Sequence, residues 1–166
     1  MHDTRYATSG MVCSVDHLAS AAGVAALDRG GSAADAAIAT NAVLTVTAPH
    51  MCGLGGDLFA LVHDGGGSYR GVTALNASGR AGSGADPDRL RAEGHERMPH
   101  LHDIRSVPVP GCVDGWLALH ERHGKLPLAA LLEPAIRLAS EGFPASPLLL
   151  AGARVAAERP GGGDFA

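Results

Sequence analysis

The apolar positions of the chain change period from block to block. After the short apolar run Gly10 to Val15, Leu18, Ala21, Ala22, Ala25 and Ala26 recur at helical spacing, which predicts a helix with those residues inward. Asp16 is placed to cap it, and Gly30-Gly31 to supply a left-handed stop. A second helix starts at Ser32, because Ser32 and Asp35 form a capping pair in which hydroxyl and carboxylate each answer a free backbone amide. Ala33, Ala34, Ala36, Ala37, Ala39 and Ala42 give it high propensity and little bulk, so it can pack closely. Pro49 lacks an amide and biases Ala48 away from helical dihedrals, which ends it. Leu58 to His63, LFALVH, is a near-continuous apolar run that predicts a strand covered on both faces. The turn Asp64-Gly65-Gly66-Gly67 leads to a hairpin partner over Tyr69 to Leu75.

From Asn76 to Val107 apolar positions thin out, which predicts a long loop with one short helix near Asp86-Pro87. Ser106-Val107-Pro108-Val109-Pro110-Gly111 is an extended entry to a helix capped by Asp114 and running to about His123, with Trp116, Leu117 and Leu119 among its apolar positions. Gly124-Lys125-Leu126-Pro127 is a turn, and Leu128 to Ser140 a further helix broken by Gly142-Phe143-Pro144. The order helix, helix, strand, strand fits an α+β chain with helices layered on a sheet. Residues 1–9 read as a flexible leader, 10–158 as the folded part, and 159–166 as an unfinished tail.

Composition narrows the partners. A net charge of -4 with no cluster of Lys or Arg lacks the electrostatic footprint for nucleic acid or acidic lipid, so small molecules or proteins are the expected partners. The first ten residues hold no apolar stretch of signal-peptide length, and no segment approaches the run of about 18 apolar residues that a membrane span needs, which predicts a soluble, cytoplasmic chain. Cys13, Cys52 and Cys112 are odd in number and far apart, so they read as buried free thiols, neither a disulfide framework nor a zinc site.

Several stretches invite chemistry. Gly53-Leu54-Gly55-Gly56 resembles a phosphate cradle in composition, but a helix precedes it and a strand follows, the reverse of a cradle's order; close backbone packing is the better explanation. Glu93, His95, Glu96, His100, His102 and Asp103 fall in one loop, but no metal-binding spacing is matched, and no metal is expected. His50 and Cys52 are neighbours in sequence, which does not make a catalytic pair. Arg80, in the loop after the second strand, is suited to clamp a substrate carboxylate; an exposed surface Arg is the alternative.

Taken together, Gly30 to Ala39, Pro49, Gly53-Leu54-Gly55-Gly56-Asp57-Leu58-Phe59, Ser106 to Gly111, Gly124-Lys125-Leu126-Pro127, Glu133-Pro134-Ala135-Ile136 and Glu141-Gly142-Phe143-Pro144 resemble the amino-terminal part of the γ-glutamyltranspeptidase (γ-glutamyltransferase) family. The likeness runs over about residues 10 to 150. It implies the amino-terminal portion of an N-terminal-nucleophile hydrolase, a four-layer α-β-β-α sandwich made by a precursor that cuts itself into a large and a small subunit. In that family the new N-terminal Thr of the small subunit attacks a γ-glutamyl amide such as that of glutathione, with its own α-amine as base. Water or an acceptor amine then takes the acyl group, and no cofactor is implied.

Two departures from the family pattern stand out. The threonines, Thr4, Thr8, Thr40, Thr45, Thr47 and Thr73, include none in the Thr-His setting that opens the small subunit, so the chain is expected to be a fragment, inactive alone and lacking its C-terminal partner. Family members that act on γ-glutamyl groups carry Arg-Glu-x-Ala-Pro after the strand, where the Arg binds the substrate α-carboxylate. Here Ser78-Gly79-Arg80-Ala81-Gly82 places Ser78 at the Arg position and Arg80 two residues on, which resembles the divergent γ-glutamyltransferase-like branch. Ser78 and Arg80 are the substrate-binding candidates. The competing readings are a non-catalytic binding or assembly module derived from this fold and, less supported by element order, a nucleotide-dependent enzyme.

Overall fold

The computed structural model describes residues 4–63, 65, 71–99 and 103–158. Two compact units emerge, one of Met1–Gly53 with Trp116–Ala166, the other of Leu54–Gly115.

In the first unit, α1 (His17–Asp28) begins where the Asp16 carboxylate accepts from the amides of Leu18 and Ala19 at 2.9 and 3.2 Å. It stops at Gly30, with φ of 83°. Its buried face is Ala19, Ala22, Gly23 and Ala26, whereas Ala21 and Ala25, expected inward, are exposed. Gly23 sets that rotation by letting α1 lie directly on α2 (Ala33–Thr47): a Cβ there would collide with Thr40 Oγ1 and fall 3.1 Å from the Ala36 carbonyl oxygen. The capping box is formed as predicted, with Asp35 N donating to Ser32 Oγ at 3.1 Å and Ser32 N to Asp35 Oδ2 at 2.8 Å.

The α2 helix is buried on both sides, packing on α1 and on α5 (Leu128–Glu141). Ile38, Val43 and Leu131 are almost fully enclosed, and burial of each side chain contributes about 1.5–3 kcal/mol. Pro134 lies inside α5 and cannot donate to the Ala130 carbonyl one turn back. Arg29 Nη1 donates to that carbonyl instead, at 3.3 Å. A helix not anticipated from the sequence, α6 (Pro147–Ala157), is capped by Ser146 Oγ accepting from Leu149 N at 3.2 Å.

The helix α4 (Cys112–His123) starts two residues before the expected cap, so Asp114 lies in its first turn. The Gly56 carbonyl fixes this start by accepting from Gly111 N and Cys112 N, both at 3.0 Å. Farther along, Trp116 Nε1 donates to Asn41 Oδ1 at 2.8 Å inside the first unit.

The second unit holds the antiparallel hairpin of β1 (Leu58–His63) and β2 (Val72–Ala77), with Leu58 opposite Ala77 and His63 opposite Val72. The partner strand therefore continues through Asn76 and Ala77, which were expected to begin the loop; Tyr69 and most of the glycine turn lie outside the described residues. Only one face of β1 is covered, contrary to expectation. Leu58, Ala60 and Val62 are half-buried, while Phe59 and Leu61 are 64% and 78% exposed. On the covered face Gly115 approaches closely: an added Cβ would stand 2.9 Å from Ala77 Cβ and 3.0 Å from Leu58 Cδ2. The short helix expected at Asp86-Pro87 is α3 (Pro87–Ala92), followed by a 3-10 turn at Ile104–Ser106. The residue 159–166 tail is outside the described residues.

Candidate functional site

The end of β2 presents the two candidate substrate-binding residues. Asn76 Oδ1 accepts from Ser78 N at 3.0 Å, turning the chain out of the strand. Ser78 is half-buried, with its hydroxyl 3.4 Å from the Gly79 carbonyl oxygen. Gly79 adopts φ of 81°, and the Arg80 carbonyl accepts from Val109 N at 2.9 Å. Arg80 is thus held by its backbone while its side chain is exposed. Ser78 and Arg80 thus lie two residues apart on one turn, a hydroxyl and a guanidinium being the groups a carboxylate can bond.

Glu93, His95 and Asp103 of the following loop are organised around a cation of the chain itself. Arg105 bonds Asp103 through Nε at 2.9 Å and Nη2 at 2.6 Å, pairs with Glu93 through Nη1, and lies 3.3 Å from His95 Nε2 through Nη2. The Arg105 bonds hold the Asp103 carboxyl down at about 2, and Arg89 with Arg105 keeps Glu93 below the usual carboxylate range. Arg105 is itself pushed up by Asp103 and Glu93. The sequence reading noted the ligand types but missed Arg105, whose spacing two residues after Asp103 was the available signal. Among the described residues no group of three His, Cys, Asp or Glu side chains converges as a metal site. His100 and His102 lie outside those residues.

The glycine reading needs correction. Nothing lies within 4 Å of a Cβ built on Gly53 or Gly55, so close packing does not explain those two, whereas the Gly56 carbonyl meets the Gly111 and Cys112 amides at 3.0 Å; glycines whose Cβ would collide include Gly23, Gly79, Gly111 and Gly115. His50 and Cys52 form no pair of the catalytic kind. The His50 ring rests on Gly152, whose added Cβ would lie 2.7 Å from its Cδ2, while Cys52 Sγ points to the Ala48 carbonyl at 4.0 Å. Burial pushes the Cys52 thiol up, the opposite of an activated nucleophile. The threonines serve the scaffold: Thr40 and Thr47 are buried in α2, Thr45 donates to the Ala42 carbonyl at 2.8 Å, and Thr73 donates across the hairpin to Val62 at 3.4 Å.

An open cavity of about 810 Å³ runs between extended residues Gly10–Val15 and α2, lined by Val12, Ala36, Ala37, Thr40 and Leu44 among others. Neither Ser78 nor Arg80 borders it, and its lining carries no charged side chain. Among the described residues no helix is long and apolar enough to cross a membrane.

Comparison with known proteins gives one consistent result. The family description Gamma-glutamyltranspeptidase matches residues 19–159. The chain is 42% identical over 147 residues to the Glutathione hydrolase-like YwrD proenzyme of Bacillus subtilis (strain 168), covering 88% of this chain and 27% of that protein. It is 38% identical over 149 residues to the Oxamate amidohydrolase proenzyme of Klebsiella pneumoniae, covering 87% of this chain and again 27% of the relative. The crystal structure of Helicobacter pylori gamma-Glutamyltranspeptidase superimposes with a TM-score of 0.82 at 30% identity, over 95% of this chain and 45% of that one. The chain therefore spans about a quarter of the length of these curated relatives. The architecture is the amino-terminal portion of the N-terminal-nucleophile α-β-β-α sandwich, as the sequence implied.

Proposed function

The chain belongs to the γ-glutamyltranspeptidase family, and from that premise we propose that it supplies the amino-terminal scaffold of a glutathione hydrolase-like amide hydrolase or acyl transferase. The observation that carries the proposal is the continuous match over residues 19–159, together with relatives whose names describe hydrolysis of glutathione and of oxamate.

The chemistry requires a threonine hydroxyl made nucleophilic by an adjacent amine. Attack on the amide carbonyl forms an ester to the enzyme and releases the amine; water or an acceptor amine then takes the acyl group. The threonines of these residues are held in α2, in the hairpin, or at Thr4 and Thr8, and none is in a Thr-His setting. The nucleophile is therefore assigned to a part of the protein outside these 166 residues, and the chain alone is inactive. Residues 10–158 form its scaffold, and Ser78 and Arg80 hold the acyl group, with Arg80 taking its carboxylate. The exposed apolar face at Phe59, Leu61 and Val72 is covered by the remaining part of the protein.

A chimera tests this reading. Residues 10–158 would replace the corresponding segment of the Bacillus subtilis relative, and the product would be assayed for self-cleavage and for release of the amine from a γ-glutamyl anilide. Self-cleavage with turnover is the expected result; a folded, self-cleaved chimera inactive toward both the γ-glutamyl anilide and oxamate would remove it.

A further inference from the structure

The segment Ala77–Arg80 is locked against Val109–Cys112 by contacts that leave no room for side chains at two positions. A Cβ on Gly79 would overlap the Val109 carbonyl oxygen, and the φ of 81° at Gly79 disfavours any L side chain independently. From the other side, a Cβ on Gly111 would collide with the Ala77 carbonyl oxygen and stand 2.6 Å from Gly79 N. Between the two glycines, Val109 N donates to the Arg80 carbonyl at 2.9 Å. Gly111 and Cys112 are tied in turn to the Gly56 carbonyl, both at 3.0 Å. The stretch 109–112 thus meets Gly79, the residue between Ser78 and Arg80, backbone to backbone, and is held at Gly111 and Cys112 by Gly56.

We propose that Gly79 and Gly111 are positioning residues, whose close backbone contact fixes the direction in which Ser78 and Arg80 meet the acyl group of the substrate. The inference rests on the acyl-binding role proposed above for those two residues. The side chain of Arg80 starts from a backbone pinned at its own carbonyl and at the preceding residue, which fixes the direction in which it leaves the chain. Pre-set direction lowers the ordering cost of binding a carboxylate without altering the reacting atoms. A loosened clamp therefore acts on substrate binding, leaving the chemical step intact.

The test uses the chimeric full-length enzyme with a γ-glutamyl anilide. Gly79→Ala adds the colliding Cβ. Val109→Pro deletes the amide that bonds Arg80 while keeping an extended backbone between Pro108 and Pro110, and serves if Gly79→Ala does not fold. Either variant is expected to raise KM roughly tenfold, the loss of one well-placed charge-assisted contact, with kcat and self-cleavage unchanged. In an Arg80→Ala background Val109→Pro, which loosens only the Arg80 side of the clamp, is expected to leave KM where Arg80→Ala alone puts it. Unchanged KM in the variants, a fall in kcat matching the rise in KM, or failure of Val109→Pro to fold would overturn the positioning role alone. A parent chimera with no turnover would overturn the acyl-transfer reading and this inference with it.

Discussion

The Asp35 carboxylate accepts a hydrogen bond from the Lys125 backbone amide at 2.9 Å, across 90 residues of sequence. The same oxygen accepts from Leu126 N at 3.2 Å and Ser32 N at 2.8 Å, so one fully buried side chain both caps α2 and fixes the turn that starts α5. Asp35→Ala orphans these amides and is expected to cost about 3 kcal/mol, from the lost cap and the unmet buried donors. Asp35→Asn keeps an acceptor and is expected to cost less. Urea denaturation followed by the fluorescence of Trp116, the single tryptophan, measures both.

Acid should act through the same group. Burial alone would raise the Asp35 pKa, but the amides of Ser32, Lys125 and Leu126 and the Ser32 hydroxyl outweigh it, and the folded value lies below 3.8. A depressed folded pKa contributes stability that is present above 3.8 and is lost as pH falls through the folded value. Stability measured from pH about 5 downward is therefore expected to fall more steeply for the parent than for Asp35→Asn, which has no proton to take up there. Parallel slopes would remove Asp35 from the acid response.

Arg29 compensates for a proline. With Pro134 unable to donate, the Ala130 carbonyl takes its hydrogen bond from Arg29 Nη1, at 3.3 Å. Pro134→Ala restores the helical amide and is expected to stabilise by about 1–3 kcal/mol. Arg29→Ala is expected to destabilise the parent by about 0.5–1 kcal/mol and to be close to neutral in the Pro134→Ala background. A double-mutant cycle by urea denaturation supplies the coupling; additive effects would show that Arg29 does not serve this carbonyl.

Local chemistry was legible in the sequence where the determinant is local. Ser32 with Asp35, Asp16, Gly30, Asp86-Pro87 and the run Leu58 to His63 specify their elements by capping, backbone freedom or period, and the structure forms each one. Elements fixed by distant groups were not legible. Nothing near Asp114 announces that the Gly56 carbonyl starts α4 at Cys112, nor does the pattern of α1 say that Gly23 must face α2. A continuous apolar run looks the same whether one or both faces are covered, so the exposure of Phe59 and Leu61 could not be read from it. For the site, the resemblance singled out Ser78 and Arg80, but the contact of Gly79 with Val109 joins residues 30 apart in number and appears only in three dimensions.

The most direct measurement of the central claim is a side-by-side assay of amine release from a γ-glutamyl anilide. The purified 166-residue chain is compared with the chimera in which residues 10–158 replace the corresponding segment of the Bacillus subtilis relative. The account predicts no release above the uncatalysed rate from the chain alone, and turnover with an acyl-enzyme on the small-subunit threonine from the chimera. Release at an enzymic rate by the 166 residues alone would contradict it, because the reacting group would then lie within a scaffold that holds no threonine in the required setting.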